Sequence, residues 1–502
     1  MPHPADVRPP VADPGAIVQL RAALWAAGFT AQGVSEAMAT SGAGFTPRPT
    51  QVPIVLRLLP AGGALATLVK LFLVAVRVPI DEAASALHPL TLDRAAALGL
   101  LAVDGGFARA LVGLVPHGDL VLSFDLITDT ADDIAADIVV GVSASSRTLA
   151  DLTVRRPVED VLDVGTGSGI QALLAAPHAL RVTGTDLNPR AVAFARFNAL
   201  LNGVTNIDFV TGDLVDSVGD RRFDLIVSNP PFVVSPDSDY LYRDSSLPGD
   251  AISRDLTRGV AGLLREGGFA HLLVSWVHQA GGDWSLPLRE WVAGLGCDAW
   301  LLHFQSDDPL DYTTSWNATL ERDVTRYTDT VERWLDYFEA EKIKAIGYGA
   351  IILRRCPSGA GQPWVGAHSS GAPAGPANDQ VMSLFTARDF LARAGAPSSL
   401  LDQRLVIDDR NRLDQSMRCS GGTFEVQGAT LVLERGLAFR AAVDVYSAHL
   451  LSRFDGTRTV REAIDESIGL LAADVSRATV EERTVGIVTR MLELGFLHPA
   501  AA

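Results

Sequence analysis

The chain has 502 residues, 48% of them hydrophobic, with 42 basic and 59 acidic side chains and a net charge of −17. That is too long for one ordinary domain and suggests three, and the acidic balance argues against a protein that binds by bulk attraction to phosphates. The three cysteines, Cys297, Cys356 and Cys419, show neither metal-ligand spacing nor a pairing pattern, which argues against a disulfide framework and for a reducing, cytoplasmic setting.

The opening MPHPADVRPP lacks the charged-then-apolar design of a secretory signal. The greasiest stretch, 65–80, is interrupted by Lys70 and Arg77 and reads as no membrane span. Residues 1–150 read as a separate, mostly helical domain. Helices are expected over 16–39 and 64–76, from Pro79-Ile80-Asp81 onward, and over 92–100 with Thr91 as cap. Apolar runs at 107–115 and 120–124 flank the turn Pro116-His117-Gly118-Asp119, where His117 reads as a turn residue. Helices followed by a hairpin outline a winged helix. The stretch 92–100 offers only Arg94, beside Asp93, so the domain reads as a docking or substrate-recognition module rather than a DNA reader. Acidic residues gather between Asp125 and Asp137. Ser143 to Thr148 then lead a helix toward the next domain, with Ser146, Arg147 and Thr148 read either as ligand contacts or as a helix cap.

The stretch 158–236 organises the rest. Val161-Leu162-Asp163-Val164 reads as a buried strand, followed by Gly165-Thr166-Gly167-Ser168-Gly169 and a helix from Ile170. Glycines let the backbone turn sharply and admit a ligand closely, and the free N–H groups at a helix start favour an electron-rich group. The spacing is G-x-G-x-G, not the G-x-G-x-x-G of a dinucleotide loop. Asp163, inside the strand, suits a ligand carrying an ammonium group. A second strand, 182–185, ends at Asp186, where a carboxylate can accept from both hydroxyls of a ribose. Asn188-Pro189 opens a helix whose Ala191, Ala195, Asn198 and Ala199 form a small face for packing on a sheet. A third strand, 207–210, ends at Gly212-Asp213-Leu214, placing a carboxylate for an adenine amino group and an apolar side chain for its ring.

These residues resemble a class I S-adenosylmethionine (SAM) dependent methyltransferase over roughly 150–356, with the motifs concentrated in 158–236. The resemblance implies an α/β fold with a Rossmann-like, seven-stranded core, a domain spanning 151–356, SAM as cofactor, S-adenosylhomocysteine as product, and no metal. Gly165, Thr166 and Gly167 would pass close to the methionine part of SAM, with Asp163 nearby. Asp186 and Leu187 would meet the ribose, and Asp213 and Leu214 the adenine.

A fourth strand, 224–227, ends in Ser228-Asn229-Pro230-Pro231-Phe232. Two prolines fix the backbone and remove two N–H donors. The Asn229 side-chain oxygen and the Pro230 carbonyl are then free to accept the two in-plane hydrogens of an NH2 group, with Phe232 flat against it. Such a clamp holds the nitrogen in line for attack and stabilises the positive charge growing on it. The motif resembles N-P-P-[Y/F] of HemK-type release-factor glutamine methyltransferases, adenine-N6 enzymes and the guanine-N2 enzymes of the "small" methyltransferase domain. By that resemblance Asn229, Pro230 and Phe232 are catalytic, and Asn229 also borders the cofactor. Phe232 stands where HemK-type enzymes usually carry Tyr, and Phe is common in the guanine-N2 group. The acceptor is expected to be a protein glutamine, as in a translation factor. The alternatives are an exocyclic amino group of a nucleobase in rRNA or tRNA, a small molecule or peptide, or no acceptor at all in a SAM sensor.

Beyond this, 233–248 reads as a substrate-facing loop with Tyr240, Tyr242 and Arg243 as candidates. A helix (252–264), a fifth strand (269–277), a sixth (297–305) and a seventh, antiparallel one (346–355) complete the core. An insert, 306–345, carries a charged helix that reads as a lid or dimer contact. The stretch 357–378 is rich in Gly, Ala, Pro and Ser and reads as a linker. Residues 379–502 read as an α+β, winged-helix-like domain whose end weakly resembles PqqD-type peptide-recognition proteins, which implies a peptide or protein partner. By segment, 1–150 holds 9 basic and 13 acidic residues, 151–350 holds 17 and 29, and 351–502 holds 16 and 17. The most acidic segment is the one with the motifs, which favours a protein over a nucleic-acid substrate.

Overall fold

The computed structural model describes residues 7–38, 51–126, 136–237, 241–244, 247–359, 362–470 and 475–500. The chain divides into two compact units, Met1–Ala150 with Arg155–Ser369, and Asp151–Val154 with Ser370–Ala502. No helix among the described residues is long and apolar enough to cross a membrane.

The first unit is built on one sheet. Its strands are β1 (Val158–Val164), β2 (Ala179–Asp186), β3 (Ile207–Thr211), β4 (Phe223–Ser228), β5 (Leu264–His278), β6 (Cys297–Asp307), β7 (Ala345–Arg355) and β8 (Val365–Ser369). They lie in the order β8-β6-β7-β5-β4-β1-β2-β3. Strands β1 to β5 pair in parallel, and β7 runs antiparallel to both β5 and β6. This is the Rossmann-like plan expected for the core, with one strand more. The order reverses between β1 and β4, where a crevice opens beyond the carboxyl ends. Val164 lies opposite Ser228 there, so the glycine loop and Asn229 emerge side by side.

The eighth strand corrects the linker reading of 357–378. Val365–Ser369 pairs in parallel with β6, from Ala299↔Val365 to His303↔Ser369. Trp364 N donates to Asp298 Oδ1 (3.1 Å), and Trp300 Nε1 donates to His368 Nδ1 (2.9 Å). The Gly and Pro residues around it hide a strand held by backbone pairing and these two side-chain anchors.

Leu162, Val164, Ile226, Leu272 and Trp276 from the strands pack with Leu256 and Val260 of the helix Ala251–Leu263 and with Trp291 of Leu286–Val292. Each such side chain contributes about 1.5–3 kcal/mol on burial. At the opposite ends of the strands, Asp160 accepts from Arg181 (2.8 Å) and Arg265 (2.6 Å), and Arg265 also donates to Asp224 (2.7 Å). Its hydrogen bond with Arg181, above all, holds the Asp160 carboxyl below the usual carboxylate range.

The first 126 residues differ in detail from the sequence expectation. The helix expected over 16–39 is two, Pro14–Ala26 and Ala31–Ala37. Gly28, at φ +69°, lies between them, and Thr30 caps the second by accepting from Gly33 N (3.0 Å). Thr91 caps Leu92–Ala97 as expected. The run 107–115 divides into Phe107–Ala110, in a small sheet with Val78–Pro79 and Leu101–Asp104, and Val112–His117, which forms a hairpin with Leu120–Asp125. That hairpin is fastened to the helix Pro189–Leu201. Asn198 Oδ1 accepts from Ser123 N (2.7 Å), while its Nδ2 donates to Ser123 O (3.0 Å) and Ser168 O (2.8 Å). Asn202 repeats the exchange with Val121. Arg190 grips Asp125 through two bonds (2.8 and 2.5 Å). Asn198 is thus a dock for the hairpin as well as part of a small packing face.

The second unit holds a helix, Asn378–Ala394, and two three-stranded sheets. One joins Asp455–Thr459, Arg404–Ile407 and Leu497–Pro499; the other joins Asn411–Ser420, Thr423–Leu433 and Arg440–Val443. Helices Val445–Leu451, Val460–Ser467 and Arg477–Glu493 accompany them, the second opened by a capping box of Thr459 and Glu462.

Candidate active site

A cavity of about 480 Å³ opens at the crevice. Gly165, Thr166, Gly167, Asp186, Leu187, Asp213, Leu214 and Asn229 all line it. Gly165 and Gly167 have positive φ (+69° and +54°), and a Cβ on either would meet nothing within 4 Å, so the bare backbone borders open space. Gly169 serves a different need: its Cβ would come within 3.1 Å of Ala195, so it permits close helix packing.

Asp163 lies beneath this loop. It is 1% exposed, and its Oδ2 accepts from the Thr166 hydroxyl (2.7 Å) and Ala172 N (3.0 Å). The carboxylate ties strand, loop and helix together and is directed into the fold, not among the cavity-lining residues. Burial pushes its carboxyl up to about 7. Asp186 stands at the cavity wall. Its Oδ2 accepts from Gly167 N (2.8 Å) and its Oδ1 from Asn188 N (2.9 Å), which leaves each oxygen a further lone pair. Burial raises its carboxyl as well. Leu214 adopts φ +40°, and its carbonyl accepts from the Thr185 hydroxyl (3.2 Å).

Asn229 ends β4. Its Nδ2 donates to Ser145 Oγ (3.1 Å), while its Oδ1 is buried and, among the described residues, has no hydrogen-bond donor. A buried acceptor left unmade is costly, and this one belongs to a residue that lines the cavity. Phe232 lies with its ring 5.3 Å from that of Tyr348, which in turn meets Phe304 at 5.7 Å. Pro230 and Phe232 do not line the cavity; Pro231 does.

The sequence reading missed Ile138, Val139, Gln171 and Leu247 in the cavity wall. The short apolar run Ile138-Val139-Val140-Gly141 after the acidic stretch was the available signal. Asp125 fixes it by accepting from Val139 N (2.9 Å), and the Asn188 Nδ2 donates to Asp137 O (2.7 Å). Ser143 caps the lead-in helix, accepting from Ser146 N (3.0 Å), so the cap reading of that segment holds, and Ser146 also lines the cavity.

Tyr242, a candidate from the loop, lines the cavity; Tyr240 falls outside the described residues. Arg243 makes two bonds to the buried Asp244 (2.8 and 3.1 Å). The insert does more than cover. Tyr312, Trp334 and Phe338, from Pro309–Asn317 and Val324–Ala340, form a core with Val233 and Val234. The Tyr312 hydroxyl accepts from Val234 N (3.0 Å), Trp334 Nε1 donates to Asp237 Oδ2 (2.8 Å), and Arg333 pairs with the same carboxylate. The insert therefore braces the loop that follows Phe232.

SAM fits these residues. The glycine backbone is open, and a carboxylate with spare lone pairs ends β2.

Residues 141–244 match the family model of the methyltransferase small domain, and residues 26–111 match a domain of unknown function, DUF7059. A release factor glutamine methyltransferase of Geobacter sulfurreducens is 44% identical over 84 residues, which is 16% of this chain and 29% of that protein. A putative protein N5-glutamine methyltransferase of Methanocaldococcus jannaschii is 35% identical over 124 residues, 23% of this chain and 62% of its own length. A tRNA1(Val) (adenine(37)-N6)-methyltransferase of Porphyromonas gingivalis is 46% identical over 83 residues, 15% of this chain and 32% of its own. The chain spans less than two thirds of each of these relatives. With the strand order, the glycine loop and Asn229-Pro230-Pro231-Phe232 in place, residues 141–244 carry the methyltransferase small domain on a class I methyltransferase sheet.

Proposed function

We propose that the chain is a SAM-dependent N-methyltransferase acting on a planar amide nitrogen, with a protein glutamine side chain as the favoured acceptor and S-adenosylhomocysteine as product. The observation that carries this is the Asn229 Oδ1, buried and without a partner among the described residues, on a side chain that lines the glycine-loop cavity. Bound SAM supplies an electrophilic methyl group on a good leaving group. What the chain must supply is position: Asn229 Oδ1 and the Pro230 carbonyl take the two hydrogens of the acceptor NH2, and Phe232, backed by Tyr348, supports its plane. Asp186 holds the ribose, and Asp213 and Leu214 the adenine. A partner bearing the acceptor, such as a translation factor, is recognised by the flanking parts of the chain, in a cytoplasmic setting.

The names of the glutamine methyltransferase relatives and the acidity of 151–350 support the amide reading. Phe232 and the tRNA adenine-N6 relative favour a second reading, the exocyclic amino group of a nucleobase in RNA. Tritiated SAM, purified protein and extract from cells lacking it separate the two. Label lost to protease and released as methylamine on acid hydrolysis supports glutamine. Label lost to RNase alone moves the acceptor to the nucleobase.

A further inference from the structure

The amino clamp is only as good as the orientation of its Asn229 amide. An amide side chain presents an acceptor at one end and two donors at the other. Turned over, Asn229 would aim its NH2 at the hydrogens of the acceptor nitrogen, donor against donor. Its neighbour is Ser145 Oγ, which accepts from Asn229 Nδ2 at 3.1 Å. Ser145 Oγ lies 2.8 Å from Ser143 Oγ, which itself accepts from Ser146 N. When Ser145 donates across that contact, its oxygen offers Asn229 a lone pair and no hydrogen, and only the N–H end of the amide completes it. Ser145 sits in the helix Ala144–Leu152.

We propose that Ser145, on this lead-in helix, is a positioning residue of the clamp, holding the Asn229 amide in the orientation that presents its Oδ1 to the acceptor. The proposal rests on the amino-clamp reading above. Ser145 touches neither reacting atom. It sets how often the clamp stands in its productive orientation, so its loss slows transfer and leaves SAM affinity in place.

The test compares the wild-type chain with Ser145→Ala, Ser145→Thr and Asn229→Ala. It measures transfer from saturating tritiated SAM into extract of cells lacking the protein, and SAM affinity by calorimetry. Ser145→Ala is expected to slow transfer roughly tenfold, the worth of one orienting hydrogen bond, with SAM affinity within about twofold of wild type. Ser145→Thr is expected to restore the rate. The proposal is overturned if Ser145→Ala transfers at the wild-type rate, if its loss follows an equal loss of SAM affinity, or if the hydroxyl-restoring variant stays slow. Asn229→Ala transferring at the wild-type rate would remove the clamp itself, an outcome distinct from the others.

Discussion

Asp125 offers the sharpest test of how the amino-terminal hairpin serves the site. Its carboxylate is 2% exposed and makes two bonds to Arg190. Its Oδ2 also accepts from Val139 N (2.9 Å), and Val139 is part of the cavity wall. In Asp125→Ala the guanidinium keeps only its bond to Val7 O (2.7 Å) and has little access to water. Removing one partner of a buried ion pair costs about 3–5 kcal/mol, and the lost acceptor for Val139 adds about 1 kcal/mol. For a unit of this size each kcal/mol moves Tm by about 2 °C, so scanning calorimetry of the full chain should show the first unit melting roughly 8–12 °C lower. The double variant Asp125→Leu, Arg190→Met removes both charges and should recover at least half of the loss, because no unpaired charge is left buried. SAM affinity should fall in Asp125→Ala, since the cavity wall loses its anchor. A Tm within 2 °C of wild type, or a double variant less stable than the single one, would refute the reasoning.

Further outcomes follow from the same geometry. Asp186→Ala should weaken SAM binding about 10–100-fold by calorimetry, because bonds to a charged acceptor contribute about 1.5–3 kcal/mol; unchanged affinity would take Asp186 out of the ribose site. Trp334→Phe removes the Nε1–H donated to Asp237 and should slow transfer while exposing the loop after Phe232 to limited proteolysis; a cleavage pattern like wild type would make the insert a mere cover. Asp163→Asn should change the pH dependence of stability. Its folded carboxyl stands near 7, above the unfolded value, so between about pH 4 and 7 the native state keeps a proton that the unfolded chain has released. Stability from this group therefore declines as pH rises through that window and is level above it. The buried His271, pushed down to about 3, acts with the opposite sign below its ordinary 6.5. The quantity to measure is the stability of Asp163→Asn minus wild type by urea unfolding at several pH values. It should grow from pH 4 to 7 and then stay flat; a difference independent of pH would contradict the assignment.

The parts of this protein that were legible in the sequence are those whose chemistry is local. A glycine loop directly after a strand, Asp186 and Asp213 at the ends of the next two, and Asn229-Pro230-Pro231-Phe232 at the end of the fourth each declare themselves within five residues, and the sheet order brings them together. What was hidden depends on partners far along the chain. Asp163 could be read as facing a ligand because the sequence does not show that Thr166 and Ala172 take its lone pairs. Nothing local marks Asp125 as the partner of Arg190, 65 residues away. Val365–Ser369 is too short and too closely flanked by Gly and Pro to announce a strand, and its pairing with β6 is decided by the neighbour. Tyr348 went unremarked inside the strand expected over 346–355, and its place behind Phe232 emerges only once β7 is inserted beside β5.

The central claim is that Asn229 Oδ1 is kept for the hydrogens of an acceptor amino group. The most direct measurement compares Asn229→Ala with wild type in two readings, SAM dissociation constant and methyl transfer to extract from cells lacking the protein. SAM affinity close to wild type with transfer reduced by about a hundredfold or more is the expected result, since the lost contact is to the acceptor nitrogen and strengthens as charge grows on it. Transfer undiminished in Asn229→Ala, with SAM bound as before, would contradict the clamp and with it the proposed chemistry.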